Sequence, residues 1–269
     1  MLFAKNKPAQ KIKLLSYSSD IKNGAYELHS KFLKAANYKK GREIISFVIR
    51  EIGDGPGNIV VNSLPDFDTI RISKNKIYSV KEKFELPKKK YFPKIENKVF
   101  LPRYSINRLI KYTLKNSPAL SMSFVFDEKR EKFFNSPFLK KMLFRMKKGA
   151  DFLKKDKVDS AVKILCGLGV GLTPSGDDFL SGAALAYYVL GKQKKAKKIL
   201  CLSHTDNLIS YNNIRNSSQG KCSAGVKDII KKTSKNKYCR KSLKKVLNTG
   251  STSGADFLSG FLFTLSNCL

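Results

Sequence analysis

The chain has 269 residues, 42% of them hydrophobic, and carries 53 lysines and arginines against 21 aspartates and glutamates, a formal charge of +32. The hydrophobic share excludes wholesale disorder, and the length is enough for one large or two smaller cores. Such a field attracts nucleic acid, anionic membrane and small anions alike. The basic residues are mostly dispersed lysines, as in Lys88-Lys89-Lys90, Lys147-Lys148, Lys194-Lys195 and Lys231-Lys232. Specific nucleic-acid readout recruits arginine, so a solvated lysine surface is the preferred reading, with a basic nucleic-acid-binding protein as the alternative.

Residues 1–10 start apolar but are broken at once by lysines, which leaves no signal-peptide core. The run 11–17 alternates as a strand, and the periodicity of 26–37 predicts a short helix with Leu28, Phe32, Leu33 and Ala36 on one side. Two β-rich runs, 43–52 and 59–62, flank Gly53-Asp54-Gly55-Pro56-Gly57-Asn58 as a hairpin or a strand-loop-strand. That cluster reads either as a ligand loop, with Gly55 and Asn58 as contacts, or as a plain connection. Runs 69–72 and 76–80 form a further strand pair. The whole suggests a small, mostly antiparallel sheet or barrel.

Pro87, Pro93 and Pro102 mark 83–102 as an extended connection. Helical patterns follow over 106–115, from Ser136-Pro137 through Met146, and over 157–165, 174–190, 193–202, 207–217, 222–232, 241–247 and 252–265. The expected class is α+β, with a β-rich domain at 1–103 and a helical domain at 104–269. The longest apolar run, 183–190, is too short to cross a bilayer. Five cysteines without C-x-x-C spacing, and only His29 and His204 beside them, argue against zinc and for a reduced, cytoplasmic setting.

Gly167-Leu168-Gly169-Val170-Gly171-Leu172-Thr173-Pro174-Ser175-Gly176-Asp177-Asp178-Phe179-Leu180-Ser181-Gly182 reads as a glycine loop feeding a buried helix. Thr173 is the expected N-cap and Pro174 the first helical residue, with N–H groups around Ser175 and Gly176 facing outward to favour an anion. The last ten of these residues are echoed by Ser251-Thr252-Ser253-Gly254-Ala255-Asp256-Phe257-Leu258-Ser259-Gly260. In each copy an aspartate precedes a glycine by one turn, which predicts close packing of the two helices. Asp177 stands where the echo has Ala255, so it is the expected functional carboxylate, with Asp178 and Asp256 in part structural.

Gly171 to Gly176 has the glycine frame of a P-loop, but Asp177-Asp178 stand where lysine and a hydroxyl residue are needed, and the glycines do not match a dinucleotide fingerprint. What remains is an anion-plus-amide site. Gly169, Gly171, Thr173, Ser175 and Gly176 hold the anion, Asp177 and Asp178 orient a nitrogen group, and Ser251, Ser253, Gly254 and Asp256 close the site. No cofactor is assigned, and Asp177 with Asp178 is where a divalent metal would sit. As an isolated pair, Asn207 and Ser210 read as caps or surface polar residues.

The long motif resembles the signature of a bacterial family, formerly of unknown function, that includes a subunit of oxamate carbamoyltransferase from anaerobic allantoin degradation, part of purine catabolism. The segment from Gly250 to Gly260 resembles the family's second signature. Asn207-Leu208-Ile209-Ser210 through Gly220 is similar to an intermediate motif, which adds Asn207 and Ser210 to the candidate site, and 53–58 is similar to an N-terminal glycine/proline turn. Val170 departs from the pattern, where the family usually has proline. The resemblance implies a carbamoyltransferase-like subunit acting with other subunits on oxamate or oxalurate, with phosphate as co-substrate and carbamoyl phosphate as the transferred form. A non-catalytic scaffold subunit is the alternative within that family.

Overall fold

The computed structural model describes residues 11–80 and 82–269, so the reading of residues 1–10 lies outside it. The chain divides between Phe92 and Pro93 into two compact units, and the class is α+β as expected.

The first unit is one curled mixed sheet of nine strands: β1 (Leu14–Ser18), β2 (Gly24–Lys31), β3 (Ala35–Lys40), β4 (Glu43–Ile49), β5 (Asn58–Val61), β6 (Thr69–Ser73), β7 (Lys76–Tyr78), β8 (Lys83–Glu85) and β9 (Lys90–Tyr91). Their order is β8-β7-β6-β2-β3-β4-β5-β1-β9, and all pairs but β4–β5 and β1–β9 are antiparallel. Its core is aromatic and β-branched, with Tyr26, Tyr38, Ile45, Phe47, Ile59 and Ile77 fully buried. The two tyrosines keep their hydroxyls satisfied by donating to Lys22 O and Phe67 O.

The helix expected over 26–37 is a hairpin, β2 and β3. Tyr26 and Leu28 share one face at period two, whereas Leu33, which completed the helical stripe, is 96% exposed at the turn. Pairing of β2 with both β3 and β6 overrides the local period. A hairpin of β4 with β5 is likewise excluded, because the two run parallel, Ser46 opposite Asn58 and Ile49 opposite Val61. The strand-loop-strand alternative holds. The β6–β7 turn is a true hairpin, with Lys74 and Asn75 at φ 45° and 62°.

The second unit begins with an extended segment whose buried Ile95 and Leu101 join the helical core. Ile95 N–H donates to Gly220 O and Val99 N–H to Val189 O, so the helical unit starts before residue 103. Nine α-helices follow among the described residues: α1 (Arg103–Asn116), α2 (Pro137–Lys154), α3 (Val158–Leu165), α4 (Ser175–Val189), α5 (Gln193–Leu202), α6 (Leu208–Ser218), α7 (Ala224–Ser234), α8 (Arg240–Leu247) and α9 (Ser253–Cys268). Two short 3-10 segments, Met122–Phe126 and Glu128–Phe133, join α1 to α2.

The starts follow local chemistry. Ser136 caps α2 by accepting from Leu139 N–H, with Pro137 in the first turn, and Ser223 caps α7 through Val226 N–H. Every residue of α4 is buried. A helix that is apolar nearly all round must sit inside a shell of others, and α4 forms the axis of this unit.

Candidate functional site

The two motif copies form a pair of matched helix starts. A Cβ on Gly182 would collide with Phe257 O, and one on Gly260 would collide with Phe179 O, so α4 and α9 touch backbone to backbone at equivalent points. The first glycine of each ten-residue copy repeats the correspondence. A Cβ on Gly176 would strike Leu165 O at the end of α3, and one on Gly254 would strike Val246 O in the last turn of α8. Gly176 N–H donates to Leu168 O and Gly254 N–H to Thr249 O, three residues beyond Leu165 and Val246 respectively. The loop before α4 is the longer one, and the extra chain carries Gly169, Val170 and Gly171.

The carboxylates are exchanged between the two helices. Ser253, opening α9, stabilises the charged form of Asp178 on α4, and Ser175, opening α4, does the same for Asp256 on α9. Asp178 Oδ2 accepts from Thr173 Oγ1 at 2.9 Å, and that hydroxyl lies 2.7 Å from Ser253 Oγ. Asp256 Oδ1 accepts from Met122 N–H at 2.6 Å, while its Oδ2 is buried without a hydrogen-bond partner among the described residues. Burial holds the pKa of Asp256 up at about 6 despite these donors. Burial and the neighbouring Asp256 raise Asp178 well above the ordinary carboxylate range.

Asp177 breaks the symmetry and has different neighbours. It is 1% exposed, and its Oδ1 accepts from Gly167 N–H at 2.7 Å. Ser210, Cys166 and Thr205 surround the carboxylate and favour its charge, but burial dominates and raises its pKa. None of the three meets Oδ2 in hydrogen-bonding geometry, and both Asp177 Oδ2 and Ser210 Oγ are buried without partners among the described residues. Burial and the adjacent Asp177 push the Cys166 thiol up to about 11, so it stays protonated.

The other candidate residues take several places. Thr173 is not the N-cap of α4. Pro174 holds that position without a side-chain cap, and the Thr173 hydroxyl is spent on Asp178 and Ser253. Gly176 N–H does not face outward, because it closes the loop on Leu168 O. Backbone donors are instead free along the loop crest, where the N–H groups of Gly169, Gly171 and Thr173 enter no hydrogen bond among the described residues. Gly169 and Gly171 have φ of 141° and 96°, a backbone that other residues rarely adopt.

Asn207 caps α6 by accepting from Ile209 and Ser210 N–H at 3.1 Å each, and its Nδ2 donates to Leu172 O, tying α6 to the loop. Ser251 is exposed, whereas Ser253 joins the carboxylate pair. Gly55 and Asn58 belong to the strand unit, where Asn58 Nδ2 donates to Gly53 O. Sequence reasoning misses Gly167, Cys166 and Thr205 as neighbours of Asp177. No local pattern marks Thr205, while the position of Cys166 directly before the glycine loop is a usable signal.

These features define the class: an α+β protein whose helical unit carries a duplicated helix start, one copy of which has gained a buried, half-satisfied aspartate. Residues 165–265, which span both helix starts and α6, match the family model of the oxamate carbamoyltransferase subunit AllH. No solved structure matches the chain.

Proposed function

We propose that the chain is a subunit of a carbamoyltransferase-like enzyme and that its glycine loop and Asp177 bind a small anionic amide, oxamate or oxalurate, or the carbamoyl phosphate and phosphate that accompany them. The observation that carries this reading is the pair of unpartnered buried groups, Asp177 Oδ2 and Ser210 Oγ, beneath an exposed loop with free N–H donors among the described residues. A buried carboxylate oxygen left unpaired costs about 1–3 kcal/mol or more, and an incoming NH2 group removes that cost. The loop donors take the carboxylate or phosphate oxygens of the same ligand.

In the transfer, a phosphate oxygen attacks the carbamoyl carbon of oxalurate, the bond from that carbon to the oxamate nitrogen breaks, and the nitrogen takes up a proton. Asp177, whose pKa burial raises, is assigned to orient the NH2 group and to relay to that nitrogen the proton that the attacking phosphate gives up. Asp178, Ser253, Gly254 and Asp256 fix the loop from below. The neighbours of Asp177 are hydrogen-bond donors, and among the described residues no three His, Cys, Asp or Glu side chains gather as a metal cage. The reading therefore runs through hydrogen bonding, and a divalent metal at Asp177 and Asp178 is kept only as its variant.

The test is transfer activity of the complex reconstituted with its other subunits. Asp177→Ala is expected to abolish carbamoyl transfer while moving the unfolding midpoint by no more than a few degrees. Full activity in that variant would leave the chain a scaffold and overturn the assignment.

A further inference from the structure

A cavity of about 240 Å³ opens at the opposite ends of α4 and α9, lined by Tyr187 of α4, Thr264, Asn267 and Cys268 of α9, and Lys154, Lys192 and Lys195. Asp156 also lines it and is committed, since its two carboxylate oxygens accept from Lys195 Nζ at 2.5–2.6 Å. The ammonium groups of Lys154 and Lys192 have no ion-pair partner among the described residues, so the lining is left with two unbalanced positive charges. Thr264 is 2% exposed, and its Oγ1 has no hydrogen-bond partner among the described residues.

The lysines are not needed to finish the helices beside them. Lys192 N–H reaches back to Tyr187 O and Gly191 N–H to Tyr188 O, with Gly191 at φ 76°, which closes the end of α4 through the backbone alone. Lys157 N–H reaches Phe152 O and Asp156 N–H reaches Leu153 O, closing α2 in the same way with Asp156 at φ 60°. Glycine is the usual residue at that position. Asp156 accepts a strained backbone there, and its carboxylate holds Lys195 at the cavity. The start of α5, at Lys192 and Gln193, adds the positive end of a ten-residue helix without a side-chain cap.

We propose that this cavity is a second ligand site and that it takes a phosphate-type oxyanion. Lys154 and Lys192 neutralise the charge, Thr264 and Tyr187 supply hydroxyls, and the cavity accommodates a compact phosphate or small phosphate monoester. The site is independent of the Asp177 loop, from which it is separated by most of the length of α4.

Calorimetric titration of the full chain with inorganic phosphate, and separately with glycerol 3-phosphate, at constant near-physiological ionic strength tests it. Saturable binding is expected, weakened about tenfold or more in Lys154→Ala/Lys192→Ala and weakened several-fold in Thr264→Val. Tighter binding of the monoester would make an organic phosphate the natural ligand, and tighter binding of phosphate would make it the free ion; either supports the site. The absence of saturable binding, or binding that Lys154→Ala/Lys192→Ala leaves unchanged, would overturn it. Circular dichroism of each variant checks that the fold is retained.

Discussion

Asp177 and Ala255 occupy the same place in two copies of one motif, yet only the aspartate has a carboxylate to bury. That carboxylate turns away from the Asp178–Asp256 pair toward Gly167, Cys166, Thr205 and Ser210. Asp178 and Asp256 are accounted for by the packing itself, each stabilised by the serine that opens the opposite helix. Asp256 has a consequence in solution. Its folded-state pKa of about 6 lies above the 3.8 of an ordinary aspartate. As the pH falls from 7 toward 4, the folded protein takes up a proton that the unfolded chain still lacks, and stability rises. As the pH rises through 6 that gain is lost. Its upper bound is about 3 kcal/mol. Urea unfolding from pH 4.5 to 7.5 should therefore give wild type a pH-dependent term that is reduced in Asp256→Asn. Parallel profiles for the two proteins would show that Asp256 titrates normally.

At the scale of elements, α4 and α9 depend on two glycines more than on any single apolar contact. Gly182→Ala or Gly260→Ala places a methyl group against a backbone carbonyl of the opposite helix, and neither carbonyl can move without shifting that helix. Each is expected to cost about 3 kcal/mol or more in urea unfolding. A loss below about 1 kcal/mol would mean that the helices are farther apart than described. This contact was legible in the sequence, since aspartate and glycine one turn apart in both copies implied close packing. The helices were legible too, because Ser136-Pro137 and Asn207 are local start signals and α5 matches its expected bounds of 193–202. The β2–β3 hairpin was not, because Leu33 completed a helical stripe that the sheet leaves exposed at a turn. Strand pairing is decided by distant partners, and β6 lies some 40 residues further along the chain.

Over the whole molecule, the +32 charge spreads across both units, and ion pairs such as Lys31–Asp66, Lys39–Glu27 and Lys155–Asp151 join exposed side chains that contribute little to stability. Among the described residues no helix is long and apolar enough to cross a membrane. The segment that matches the family model, 165–265, contains every residue of the Asp177 site. The sequence made Asp177 conspicuous through its mismatch with Ala255, but not the three-sided setting around it. Cys166 comes from the end of α3, Thr205 from the α5–α6 connection and Ser210 from α6, and only the folded chain brings them together. The expected outward N–H of Gly176 failed for the same reason, since Leu168 folds back to take it.

The most direct measurement is binding of oxamate, oxalurate and carbamoyl phosphate to the purified chain, followed by the rise in unfolding temperature as ligand is added. At least one of the three should stabilise wild type in a saturable way, and Asp177→Asn should weaken that ligand about tenfold or more while its ligand-free midpoint stays within a few degrees of wild type. Equal stabilisation of wild type and Asp177→Asn, or none by any of the three, would contradict the assignment of the buried aspartate as the substrate-binding group.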